Sequence, residues 1–99
     1  MATYSTLAEA VGDLARRGFT ANFEVKDGSL RAVESGRSFS PEALTIMEHH
    51  RFEGASDPDD MAVVYAIAAS DGTRGVLVDA YGAYANPDVS ALLKDVPVR

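Results

Sequence analysis

Apolar residues recur at helical spacing near both ends of the chain. Leu7, Val11 and Leu14 lie three or four positions apart, and Gly18 follows as a stop signal, which predicts a first helix over residues 6–17. A second stripe follows a proline that suits a first helical turn, and it consists of Val89, Leu92, Leu93 and Val96. The chain is therefore predicted to begin and to end with a helix.

The apolar period changes to two after the first helix. Alternate residues from Phe19 to Val25 are apolar, and Asp27-Gly28 is a hairpin signal that returns the chain through Leu30 to Val33. Two antiparallel strands are therefore predicted here. The stretch 34–38 is polar, contains a glycine and is predicted to be a turn.

Further strands are predicted in the second half of the chain. Residues Met61 to Ser70 are β-branched, aromatic and nearly uncharged, the profile of a central strand covered on both faces. A turn at residues 70–72 leads to the next predicted strand, Arg74 to Tyr81. Residues 43–53 fit both a helical stripe and an alternating strand, and we favour one helical turn, capped by Ser40, that runs into a strand.

These elements predict a single α+β domain that spans residues 1–99. Because the inferred connections are short, we expect a four- to five-stranded antiparallel meander sheet between an N-terminal and a C-terminal helix, with both helices on one face. The other face, or an edge, would then be covered by a second copy of the chain in a homodimer. Gly12, in the middle of the first helix, predicts a close backbone approach there.

Composition narrows the classes of function. The 99 residues carry a net charge of -6, which repels phosphate backbones, so nucleic-acid binding is not expected. The absence of cysteine excludes disulfides and thiolate metal sites. The longest apolar run, Met61 to Ala69, is half of what a bilayer crossing needs, and the first residues carry no cationic leader. A soluble cytoplasmic protein without membrane contacts is expected.

Residues 48–60 concentrate both histidines and five acids within thirteen positions. Asp57-Pro58 favours a tight turn that would gather these acids beside Arg51. Neighbouring histidines on a strand point to opposite faces, so at most one of them joins a given site. We predict a polar loop at 53–60 and a set of ligand-binding residues, with no catalytic residue among them. The set is His50, Arg51, Glu53, Asp57, Asp59, Asp60, Asp79 and Tyr81.

Four strings of the sequence carry a resemblance to a known family. They are Arg51-Phe52-Glu53-Gly54, Asp57-Pro58-Asp59-Asp60, Val64-Tyr65-Ala66-Ile67 and Gly75-Val76-Leu77-Val78-Asp79-Ala80-Tyr81-Gly82. Over most of its length the chain resembles small bacterial proteins that are commonly labelled phosphoribosylpyrophosphate synthetase. Genuine synthetases are far longer two-domain enzymes, and nothing in this sequence resembles their ATP site. The resemblance therefore implies a small bacterial protein, and it carries over no catalytic residue.

Two hypotheses for the function remain. The first is a non-enzymatic binding or interaction module that uses Arg51 and the loop 53–60 as the rim of a surface for an unknown protein or small molecule. The alternative is a metal-dependent enzyme or binder that acts on a phosphorylated sugar. In that case Asp79 and the loop acids would hold a divalent cation, and Arg51 would hold the phosphate. No other cofactor is implied.

Overall fold

Two helices and six strands form the part of the chain that the computed structural model describes, residues 7–52, 62–80 and 87–98. In chain order they are α1 (Leu7–Arg16), β1 (Ala21–Lys26), β2 (Ser29–Ala32), β3 (Ser38–Phe39), a 3₁₀ turn (Pro41–Ala43), β4 (Leu44–Phe52), β5 (Ala62–Ala69), β6 (Arg74–Ala80) and α2 (Pro87–Leu93). The α+β class and both predicted helices are confirmed. Within the described residues, no helix combines the length and the apolar character that a bilayer crossing requires.

The strands form one mixed sheet in the order β3-β2-β1-β6-β5-β4. Each half is an antiparallel meander, but β1 and β6 lie side by side and parallel at the centre, where Ala21 is opposite Gly75. The expected continuous antiparallel meander of four or five strands is therefore wrong. The additional strand, Ser38–Phe39, begins at the end of the stretch predicted to be a turn and pairs with β2. Two residues are too few to show an alternating pattern.

The hairpin between β1 and β2 depends on its two turn residues. Lys26 pairs with Ser29 across the turn, and Asp27 and Gly28 both have positive φ, 53° and 76°. Positive φ at both central positions matches the right-handed twist of the strands, and glycine adopts it without steric cost. The hairpin predicted from Asp27-Gly28 is confirmed.

Residues 41–52 form a helical turn followed by a strand, the order that was predicted, but Ser40 makes no side-chain capping hydrogen bond at the start of the turn. The 3₁₀ turn Pro41–Ala43 leads directly into β4, which pairs with β5. The register slips by one residue between Ile46 and Glu48, so Met47 forms a β-bulge. Because successive side chains of a strand alternate between faces, the bulge reverses the alternation for every residue that follows it.

The two helices cover opposite faces of the sheet. The core under α1 contains Val64, Ala66 and Val76, whereas the core under α2 contains Ile67 and Leu77. Neighbouring residues of β5 and β6 thus belong to different cores, and the expected placement of both helices on one face is wrong. An apolar strand such as β5 needs a covering layer on each side, and the two helices supply them. Each face of the sheet therefore packs against one helix.

Close backbone approach occurs at Gly75 and not at Gly12. Gly12 is exposed, and an added Cβ would meet no atom within 4 Å, so the approach expected there is wrong. An added Cβ at Gly75 would lie 2.8 Å from Cβ of Ala21 and closer still to its carbonyl group. The parallel contact between β1 and β6 therefore requires glycine at position 75.

Candidate functional site

Three of the predicted site residues lie in the described part of the chain. His50 and Arg51 are in β4, and Asp79 is in β6. The other predicted residues lie outside the described part: Glu53, Asp57, Asp59, Asp60 and Tyr81. The polar loop at 53–60 and its tight turn therefore stay predictions.

Strand register brings Arg51 and Asp79 to the same face of the sheet. Arg51 is opposite Val63 on β5, and Val63 is opposite Asp79 on β6. In the neighbouring row, His49 is opposite Tyr65. Side chains directly opposite each other share a face, so these five residues form one surface, which we call the sheet patch. Tyr65 also packs against the core under α2, which places the sheet patch on the α2 side of the sheet.

The sheet patch combines two rings with two opposite charges. The ring centroids of His49 and Tyr65 are 6.2 Å apart, and the ring planes are inclined by 37°. His49 and Arg51 are exposed, Tyr65 and Asp79 are half-buried, and Val63 is buried. The backbones of Arg51 and Asp79 are two strands apart, about 10 Å, and both side chains also interact within the chain. The sheet patch thus presents a cation, an anion and a ring pair around a buried valine.

The hydroxyl of Tyr65 is influenced by both charges of the sheet patch. Burial raises the pKa of Tyr65 above its ordinary value, and the carboxylate of Asp79 raises it further, because both disfavour the tyrosinate. The guanidinium of Arg51 favours the tyrosinate and acts in the opposite direction. The proton on this hydroxyl is therefore held most firmly when Asp79 is ionised.

His50 belongs to the opposite face. It is opposite Val64, whose side chain is in the core under α1, and its Nε2 lies 2.9 Å from Oε1 of Glu48. The prediction that the two histidines point to opposite faces is confirmed. The histidine that shares a face with Arg51 is His49. Without the bulge, unbroken alternation would place His50 on the same face as Leu44 and Ile46.

Glu48 is the centre of a second polar cluster, which the sequence analysis did not identify. Arg17, directly after α1, donates hydrogen bonds from both Nη atoms to Glu48, at 2.8 and 2.6 Å. These hydrogen bonds, with a smaller contribution from His50, lower the pKa of the Glu48 carboxyl from 4.5 to about 2. The ionised carboxylate links the end of α1 to β4. Arg17 and Glu48 are 31 positions apart, so no local pattern could have indicated the pair.

The described residues contain one acid of the predicted metal-binding set, Asp79. Across residues 7–52, 62–80 and 87–98, no three histidine, aspartate or glutamate side chains are grouped so that they could hold a metal. Asp79 could contribute one carboxylate to a divalent cation, and the acids predicted to line the loop 53–60 would have to supply the others.

Comparison of the chain with family models, with curated proteins and with solved structures finds no match. The resemblance to the family labelled phosphoribosylpyrophosphate synthetase therefore stays a prediction.

Proposed function

We propose that the chain is a small non-enzymatic interaction module that pairs with a second copy of itself through the sheet patch. The observation that carries the proposal is the position of Arg51 and Asp79 on either side of Val63. A surface with a cation on one side and an anion on the other is complementary to an identical copy, because a twofold interface brings unlike residues together.

The symmetry axis of such a pair would run parallel to β5, above Val63 and Tyr65. Rotation about this axis brings Arg51 to the partner's Asp79, and Asp79 to the partner's Arg51. Tyr65 meets its own counterpart at the axis, and Val63 lies buried beneath it within each copy. At such an interface the arginine of one copy and the aspartate of the other can form a charge-assisted hydrogen bond.

The net charge of the chain and the residue types of the sheet patch both support self-pairing through this surface. Two copies of a chain with net charge -6 repel each other over most of their surfaces, whereas the sheet patch holds one cation, Arg51, beside one anion, Asp79. Tyrosine and arginine are the residue types that most often dominate the binding energy of protein interfaces. The predicted loop at 53–60 would then form part of a polar rim.

An exchange of charge between Arg51 and Asp79 tests the proposal, with the molar mass measured by sedimentation equilibrium. Arg51→Glu gives the sheet patch two acids, and Asp79→Arg gives it two cations. Each variant alone is expected to be monomeric at concentrations where the wild type is dimeric. An equimolar mixture of the two variants is expected to restore the dimer, because each variant then supplies the charges that the other lacks.

Lys26→Glu and Glu42→Arg are the matched controls, since they make the same changes of charge at exposed positions outside the sheet patch. Both are expected to dimerise like the wild type. A wild type that stays monomeric at micromolar concentration would contradict the proposal, and so would single variants that dimerise as well as their mixture.

A second function, a metal-dependent enzyme or binder of a phosphorylated sugar, is favoured by one observation. Arg51 and Asp79 share a face about 10 Å apart, a span in which Arg51 could hold a phosphate while Asp79 contacts a divalent cation. Thermal unfolding with Mg²⁺ and ribose 5-phosphate tests this function. A site ligand at a hundred times its Kd stabilises a protein by about 2.7 kcal/mol, so an unchanged melting temperature with both present would contradict it.

A further inference from the structure

A cavity of about 380 Å³ opens on the α1 side of the sheet, away from the sheet patch. It lies between the end of α1 and the strands β4 and β6. We call it the arginine cavity, and its walls are Arg17, Phe19, Met47, Glu48 and Arg74. Its volume is close to the lower end of the range of small-molecule sites, which suits a metabolite better than a protein segment.

One wall of the arginine cavity is already neutralised. Arg17 and Glu48 form a bidentate pair, and Glu48 stays ionised at physiological pH because its pKa is lowered to about 2. Nη1 of Arg17 also lies 3.9 Å from Oδ2 of Asp13. The hydrogen-bonding capacity of Arg17 is therefore largely engaged within the chain.

The opposite wall carries the guanidinium of Arg74, which has no acidic partner in the part of the chain that the structure describes. The guanidinium carbon of Arg74 lies 5.6 Å from the ring centroid of Phe19, a cation–π contact that holds the side chain in place. Since Phe19 is buried and fixed in the core under α1, Arg74 presents a positioned fork of donors to the cavity.

We infer that the arginine cavity binds a small monocarboxylate, with the ligand's carboxylate on the guanidinium of Arg74. Two guanidinium groups and one carboxylate give the walls a single net positive charge, which matches one negative charge on a ligand. A dianion such as a phosphate ester would bring a second negative charge that these walls do not balance, because Arg17 is already paired with Glu48. The exposed part of Met47 offers an apolar surface for the body of the ligand. This inference does not depend on self-pairing, which uses the other face.

Benzoate is a suitable probe, and its binding can be followed by the amide signals of ¹⁵N-labelled protein. We expect saturable shifts at Phe19, Met47 and Arg74. Arg74→Gln is expected to weaken binding about tenfold or more, because a charge-assisted pair is lost. Arg74→Lys keeps the charge but not the fork, and it should bind with intermediate affinity.

Arg37→Gln is the matched control, since Arg37 is an exposed arginine outside the cavity that pairs with Asp71 at 2.6 Å. Its affinity for benzoate is expected to equal that of the wild type. Inorganic phosphate should bind more weakly than benzoate at neutral pH. Shifts that persist unchanged in Arg74→Gln would overturn the site, and tighter binding of phosphate would overturn the class of ligand.

Discussion

Gly75 and Ala21 face each other in the parallel contact between β1 and β6, too closely for a side chain at position 75. This contact joins the two antiparallel halves into one sheet. It also unites residues from the two ends of the chain, because α1 leads into β1 and α2 follows β6. A single glycine thus determines how closely the halves can approach.

Gly75→Ala is expected to lower the free energy of unfolding by about 1–3 kcal/mol, because the added methyl group must displace β1 from β6. Gly12→Ala is the matched control at an exposed helical position with free space around it. It is expected to raise the free energy of unfolding by up to about 1 kcal/mol. Urea denaturation followed by circular dichroism measures both, and shifts in the same direction would contradict the close approach at Gly75.

Local patterns were sufficient for most elements of the fold but not for their arrangement. The hairpin at Asp27-Gly28 and the stripe of α1 are encoded by residues a few positions apart, so they could be predicted. The parallel pairing of Ala21 with Gly75 joins strands that are far apart in the sequence. The glycine at position 75 is the only local feature that is consistent with it. The apolar composition of β5 indicated that both of its faces are covered, which agrees with helices on opposite faces of the sheet. The expected antiparallel meander instead had both helices on one face.

The candidate site was predicted in part. Arg51 and Asp79 were both named, and register brings them to one face. His49 was missed and His50 was named, although simple alternation by itself places His49 on the face of Arg51 and His50 on the other. The bulge at Met47 changes only which side of the sheet each of these residues faces. Bulges depend on pairing with a neighbouring strand, so a single sequence gives little indication of them.

Gly28→Val tests the geometry of the hairpin between β1 and β2. The substitution is expected to cost about 1–2 kcal/mol of stability, because valine must adopt the positive φ of 76° that glycine has there. No neighbouring atom lies within 4 Å of an added Cβ, so the cost arises from the backbone alone. Asp27→Gly is the control. It places glycine at the other turn position with positive φ and should not destabilise the protein. Equal losses in the two variants would contradict this account.

The pair between Arg17 and Glu48 predicts a specific dependence of stability on pH. The pKa of Glu48 in the folded protein is about 2, below its ordinary value of 4.5. The stabilisation is therefore complete above pH 4.5 and is lost as the pH falls from there towards 2. Glu48→Gln is expected to cost about 1 kcal/mol at neutral pH, and the difference from the wild type should shrink across this window.

Urea unfolding of both proteins at neutral pH and at several acidic values measures the change. Glu42→Gln is the control, an exposed glutamate in the 3₁₀ turn, and its difference from the wild type should be small at every pH. A difference between Glu48→Gln and the wild type that stays constant down to pH 2.5 would show that Glu48 does not titrate as a partner of Arg17.

The electrostatics of the sheet patch can be measured through the pKa of Tyr65. Asp79→Asn is expected to lower this pKa, because an anion that disfavours the tyrosinate is removed, whereas Arg51→Gln is expected to raise it. The ring carbon signals of Tyr65 in an alkaline NMR titration report each value separately from the other tyrosines. His50→Gln, on the opposite face, is the control and should leave the pKa unchanged.

Opposite shifts in Asp79→Asn and Arg51→Gln would mean that the hydroxyl of Tyr65 senses unlike charges from strands on either side of β5. That arrangement is what self-pairing about an axis along β5 requires, since each copy must present its cation and its anion on different sides of the same tyrosine. Dimer formation adds a second prediction, because the partner buries Tyr65 further and raises its pKa with protein concentration. A pKa of Tyr65 that is independent of concentration, in a wild type shown to be dimeric, would place the interface elsewhere.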